Sequence, residues 1–230
     1  MATKTDNVEV TCIIVLGPPR SGTSAVAGVC YHLGVNMGKQ FLDGEARFRN
    51  PTGIFEDIDF VWLHLALAHG YAQRVSDIPY LSLQSLCANM GKGWSAAYTS
   101  AVHKRRAQPL WGIKEPIMCF ALPHFLRLLN SPSRIIAVQR SLDATIHSMM
   151  KSHDAPAQNA QVTIESYLTS RAEVLSDYDG PVLNVQYESL TASPQIEVQR
   201  IADFIGVPAT CAAVDFIDPL LDHEGAREYA

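Results

Sequence analysis

The stretch CIIVLGPPRSGTS, residues 12–24, decides the fold. Ile13, Ile14, Val15 and Leu16 form a short apolar run rich in β-branched residues, and Gly17-Pro18-Pro19 stops it at once. A run of that length bounded by a turn reads as a buried strand. Beyond Gly22 the period changes. Val26, Val29, Cys30 and Leu33 recur at helical spacing, and Gly34 supplies a stop. Residues 17–24 are therefore a loop between a buried strand and a helix. Such a loop aims backbone N–H groups and the positive end of a helix dipole at one point, which suits a phosphate. Arg20 adds a full charge, and Ser21, Thr23 and Ser24 add hydroxyls. Ala25, Ala27 and Gly28 are small enough to let the helix lie close to its sheet.

The same reading extends outward. Residues 110–113, 133–139 and 182–186 are three more short strands, and helices are expected over 119–129, from 143, over 161–178 and over about 194–205, with Gly206 as a stop. Phe60, Leu63 and Leu67 mark one face of a helix entered through Phe55-Glu56-Asp57, after a turn at Asn50-Pro51-Thr52-Gly53, and ending near Gly70. Residues 78–106 read as largely helical, with breaks at Gly91 and Gly93. Apolar strands alternating with helices give an α/β fold of three layers, a mostly parallel sheet flanked by helices. Ligands of such sheets bind at the C-terminal strand ends, where the strand order reverses. Those ends carry Arg20-Ser21, Lys114-Glu115, Arg140 and Tyr187-Glu188.

Composition sets the frame. The chain has 230 residues, 47% of them hydrophobic and 18% charged, which suits one globular domain over 1–230. A net charge of −5 argues against a general nucleic-acid binder, so any anion site must be made locally. The five cysteines, Cys12, Cys30, Cys87, Cys119 and Cys211, form no Cys-x-x-Cys pair and are expected as buried thiols rather than disulfides or zinc ligands. The polar residues 1–10 lack the apolar core of a signal peptide, and no run approaches a membrane span. The expected protein is cytoplasmic, without stable membrane insertion. Trp62, Trp94 and Trp111 are expected in the core, with the lining of an acceptor pocket as the alternative for one of them.

Two enzyme chemistries compete for the first loop. A nucleotide triphosphatase or kinase loop reads G-x-x-x-x-G-K-[ST]. Gly17, Gly22 and Ser24 hold their places, but Thr23 stands where the lysine belongs, and no strand ends in a metal-binding Asp. The loop suits a phosphate without a triphosphate–magnesium partner. Arg140, after a buried strand, and Ser148, eight residues on, could grip a second phosphate.

These segments resemble the sulfotransferases that use 3′-phosphoadenosine-5′-phosphosulfate (PAPS). The family carries a P-R-S-G-T-[ST] loop, here Pro19, Arg20, Ser21, Gly22, Thr23 and Ser24 (in order Pro-Arg-Ser-Gly-Thr-Ser). It carries an Arg with a Ser eight residues later, here Arg140 and Ser148, and a strand ending in Tyr-Glu, here Tyr187 and Glu188, before a turn of the Gly-Val-Pro kind. The segment NPTGIFED, residues 50–57, is similar to bacterial and phage-type members. The resemblance implies a P-loop-like sulfotransferase fold. It implies that Pro19 to Ser24 hold the 5′-phosphosulfate, that Arg140 and Ser148 hold the 3′-phosphate, and that Tyr187 lies near the adenine. Two family features are missing. Ala25 stands where cytosolic members often have an adenine-stacking Trp, and the C-terminal Arg-Lys-Gly clamp has no match beyond Arg227.

The resemblance further implies in-line transfer of a sulfuryl group to a hydroxyl or amine, with 3′-phosphoadenosine-5′-phosphate (PAP) as the other product and no metal. Arg20 and Lys114 are the expected catalytic cations, and Glu56 the expected base, with Asp43, Glu45 and His64 as rivals. The acceptor, a small molecule, a glycan or a lipid, and the oligomeric state are not legible. A P-loop phosphotransferase and a non-catalytic module that binds phosphoadenosine nucleotides are the alternatives.

Overall fold

A computed structural model describes residues 11–42, 53–68 and 92–217. The element order is β1 (Thr11–Leu16), α1 (Thr23–His32), α2 (Ile58–Ala68), α3 (Lys92–Arg105), β2 (Leu110–Lys114), α4 (Met118–Leu129), β3 (Ser133–Gln139), α5 (Leu142–His153), α6 (Ala157–Ser176), β4 (Val182–Gln186), α7 (Tyr187–Ala192), α8 (Pro194–Ile205) and α9 (Cys211–Asp215). The four strands form one parallel sheet in the order β2-β1-β3-β4. After β1 the chain moves to one side of the sheet, and after β3 to the other. The order therefore reverses between β1 and β3, and the loops that follow these two strands flank the switch point.

The pleat divides the core. Cys12, Ile14 and Leu16 of β1 pack with Phe60, Tyr98, Trp111, Phe125 and Tyr167 from α2, α3, β2, α4 and α6. Ile13 and Val15 face the other way, onto Val26, Val29 and Cys30 of α1 and Val198 and Ile201 of α8. The alternation is the period of two expected of a strand covered on both faces. It also sets the side on which Lys114 emerges at the end of β2. Trp111 and Ile113 belong to the first cluster, so Lys114 projects to the opposite face, toward α1.

Several expectations need correction. Trp62 is 60% exposed, beside an open groove of about 300 Å³ that also involves Leu63, Ala97 and Lys104. Its neighbours on α2, Val61 and His64, are buried instead. Cys211 is exposed, at the first position of a short helix that was not foreseen, whereas Cys12, Cys30 and Cys119 are buried thiols. Gly28 also serves a neighbour other than the sheet. It makes room for a ring of the C-terminal segment, because a Cβ there would stand 2.1 Å from Phe216. Strand β4 closes the sheet edge, and of its five residues only Val185 is fully buried. Asp43, Glu45, most of the 50–53 turn, Gly70, Cys87, Gly91 and Arg227 lie outside the described residues.

Candidate active site

The loop after β1 is held open by its backbone. Arg20 has φ 67° and Gly22 φ 90°, both in the left-handed region. Such a conformation costs a non-glycine residue about 1–2 kcal/mol, and strain of this kind collects at functional turns. Ser21 is buried, and its hydroxyl donates to the Pro18 carbonyl at 2.8 Å, so it braces the turn. Gly22 precedes α1 without a side-chain cap, so the N-terminal end of the helix opens toward the loop in the way that suits an anion. Thr23 is buried, with its methyl against Gly17. Pro19 and Ser24 are half-buried.

The loop after β3 meets this one. Arg20 Nε donates to Ser148 Oγ at 3.1 Å, across 128 residues of sequence. Arg140 Nη1 lies 3.4 Å from the Arg20 carbonyl oxygen, and the Arg140 guanidinium stands 5.0 Å from the centre of the Tyr187 ring. Tyr187 in turn packs on Gly22, where a Cβ would collide with its ring at 2.2 Å. A side chain at 22 would push Tyr187 away, so the position requires glycine for space as well as for φ. Glu188 Oε1 accepts the Ser141 N–H at 2.9 Å, and Ser141 Oγ caps α5 by accepting from Ala144 N at 3.3 Å. Three of the four loaded strand ends thus share one crevice: those after β1, β3 and β4.

The fourth end brings a different chemistry. Lys114 is 4% exposed. Its Nζ donates to Ser24 Oγ at 3.1 Å and to Glu56 Oε1 at 2.5 Å. One ammonium therefore joins the phosphate-type loop to the carboxylate that precedes α2. Glu56 is available because its neighbour serves the helix start. Asp57 Oδ1 accepts the Asp59 N–H at 3.0 Å, and Asp57 also forms an ion pair with Arg105. Burial pushes the Glu56 carboxyl above the ordinary carboxylate range. The Lys114 charge pulls it back, and Glu115 raises it further.

His64 is fully buried, and both ring nitrogens are engaged. Nδ1 lies 2.6 Å from Glu115 Oε2 and Nε2 lies 3.0 Å from Tyr98 OH. The pair sits on the core side of the sheet. It supports the strand end that carries Lys114 rather than presenting an open nitrogen to an acceptor. Glu115 faces His64, and the carboxylate that pairs with Lys114 is that of Glu56. Tyr98, the Arg105–Asp57 pair and the capping contact of Glu188 carried no motif that sequence reasoning could use. Among the described residues no group of three or more His, Cys, Asp or Glu is placed to hold a metal, and no helix is long and apolar enough to cross a membrane.

A family model described as "Sulfotransferase family" matches residues 12–210. The chain belongs to the sulfotransferase family. Its fold is also that of solved sulfotransferases. The sulfotransferase domain of the olefin synthase of Synechococcus PCC 7002 is 20% identical, with a TM-score of 0.59 over 96% of this chain and 83% of that one. The sulfotransferase domain from the curacin biosynthetic pathway is 17% identical, with a TM-score of 0.53 over 91% and 78%. A sulfotransferase of Mycobacterium tuberculosis H37Rv is 16% identical, with a TM-score of 0.50 over 91% and 71%. No curated protein matches the chain significantly. In this sulfotransferase the matched segment contains every expected site residue from Pro19 to Tyr187.

Proposed function

We propose that the protein transfers the sulfuryl group of PAPS to a hydroxyl or amine of a small-molecule, glycan or lipid acceptor. The observation that carries this reading is the Arg20–Ser148 hydrogen bond at 3.1 Å. It joins the two segments that the resemblance assigns to the two phosphates of one nucleotide. The cradle fits such a ligand. The left-handed turn at Arg20 and Gly22 directs N–H groups and the α1 dipole into the crevice, and Arg140, Ser148 and Tyr187 line it from the other side. Pro19, Ser21 and Thr23 shape the loop, and Ser24 links it to Lys114.

When bound, PAPS supplies an activated sulfuryl group on a phosphate leaving group. The residues of the chain then have three tasks. Arg20 and Lys114 offset the negative charge that grows on the leaving side. Glu56 takes the acceptor proton as general base, and its raised pKa brings it nearer the operating range of such a base. Lys114 contacts both halves of the site, so a shift of its hydrogen bonds from Glu56 toward the leaving side would release the carboxylate for the proton. The parallel strands hold these groups at fixed spacing, which lowers the entropic part of the barrier.

The test is transfer of radiolabelled sulfuryl from PAPS across a panel of phenols, alcohols, sugars and amines, with wild type and Glu56→Gln. The expected result is transfer to one acceptor class by wild type and its loss in the variant. Phosphoryl transfer from ATP dependent on Mg²⁺, without sulfuryl transfer, would overturn the proposal.

A further inference from the structure

Helix α6 turns Tyr167, Ser170, Arg171 and Val174 into the core, at the i, i+3, i+4, i+7 spacing of a buried face. One of these four carries a full charge. Arg171 is 8% exposed, and its Nη1 donates to the Val138 carbonyl at 2.5 Å. Among the described residues no carboxylate pairs with it. The titratable group whose charge bears on it is Cys119, a thiol that burial pushes up to about 12, so it is neutral near pH 7. Burial also lowers the guanidinium's own pKa, yet an arginine remains ionised. A charge so far from water without a counterion is costly. The other buried cations among the described residues are matched, Lys114 by Glu56 and Arg105 by Asp57.

The position of Arg171 suggests where the balancing charge belongs. The Val138 carbonyl is at the C-terminal end of β3, two residues before Arg140, and it also borders the first loop. A Cβ on Gly17 would stand 2.9 Å from this oxygen, and equally 2.9 Å from Ser21 Oγ and Thr23 Cγ2. Arg171 thus stands behind the two segments that form the crevice. By donating to Val138 it also neutralises a carbonyl dipole whose negative end would otherwise oppose an anion there. Ser170 fixes the helix in place by donating to the Cys119 carbonyl at 3.0 Å.

We infer that Arg171 is a buried countercharge of the anion site, a positioning residue that raises affinity for a phosphate- or sulfate-bearing ligand through Val138 and the loop backbone without touching that ligand. The inference rests on the crevice being an anion site, as proposed above, but not on the identity of the donor.

The experiment measures binding of PAP and, separately, of inorganic sulfate, by calorimetry and by ligand-dependent melting, in wild type, Arg171→Met and Arg171→Lys. In Arg171→Met both anions should bind about tenfold more weakly, the scale of one charge within about 10 Å at an effective dielectric of about 20. The ligand-free melting temperature should hold or rise, because an uncompensated buried charge has been removed. Arg171→Lys should retain most of the affinity. A merely structural arginine gives the reverse pattern, lower ligand-free stability with unchanged affinity, and that result would overturn the inference. So would failure of Arg171→Met to fold, or equal loss of binding in both variants. Wild type that binds sulfate but not PAP, with sulfate binding weakened in Arg171→Met, would sink the donor assignment and leave this inference standing. Wild type that binds neither anion ends both.

Discussion

The crevice at the ends of β1, β3 and β4 and the pocket at the end of β2 are built from different partners. In the crevice, guanidinium groups meet a hydroxyl, backbone carbonyls and a ring: Arg20 on Ser148, Arg140 on the Arg20 carbonyl and Tyr187, Arg171 on Val138. At β2, basic groups meet carboxylates: Lys114 on Glu56, His64 on Glu115, and nearby Arg105 on Asp57. The first arrangement brings three guanidinium groups to the loops and strand ends around β1 and β3. The second keeps a carboxylate poised against a cation. On the proposed function the difference divides the work, anion binding on one side and proton removal on the other, with Lys114 bonded across the boundary to Ser24.

Variants can break this division. Glu56→Gln should have the largest effect. Turnover should fall by about 10²- to 10⁴-fold, the usual contribution of a general base, while PAP affinity changes far less. Steady-state kinetics together with binding titration checks it, and equal losses in both would erase the division. Arg140→Ala should do the opposite, weakening PAP by about 1.5–3 kcal/mol, the worth of a hydrogen bond to a charged group.

A pH profile sharpens the comparison. A general base works ionised, so with Glu56 in that proposed role kcat/KM should rise with pH through its pKa, which burial places above the ordinary carboxylate range. Activity is therefore lost as pH falls through that raised value. Lys114→Met removes the charge and hydrogen bond that hold Glu56 down, so the acidic limb should move to still higher pH. Arg140→Ala should leave the limb in place. The smallest effect belongs to Trp62→Ala. At 60% exposure the ring lies outside both regions, and chemical denaturation should change by about 0.5 kcal/mol or less.

Most of the fold and the convergence of Arg20, Arg140, Ser148 and Tyr187 were legible in the sequence for one physical reason. A buried parallel strand leaves an uninterrupted apolar run, and the residues that follow it are the ones a strand end presents. Residues 12–24 and 133–140 read correctly on that basis, and Pro194–Ile205 with Gly206 read correctly from helix stop chemistry. The rest of the site depends on pairings that no local pattern records. Lys114 finds Glu56 across 58 residues, and His64 finds Tyr98 across 34. Trp62 looked like core because large aromatics usually are, but α2 turns Val61 and His64 inward. Arg171 did leave a signal, since it interrupts an apolar face at a position i+4 from Tyr167, but only the structure reveals that Val138 and Gly17 lie in front of it.

The central claim is that the crevice between β1 and β3 holds both phosphates of one nucleotide. Calorimetric titration with PAP, set beside ATP with Mg²⁺, on wild type and Arg140→Ala tests it most directly. The account predicts preference for PAP in wild type and a loss of about 1.5–3 kcal/mol in the variant. Preference for ATP with Mg²⁺, or PAP binding that ignores Arg140, would contradict it.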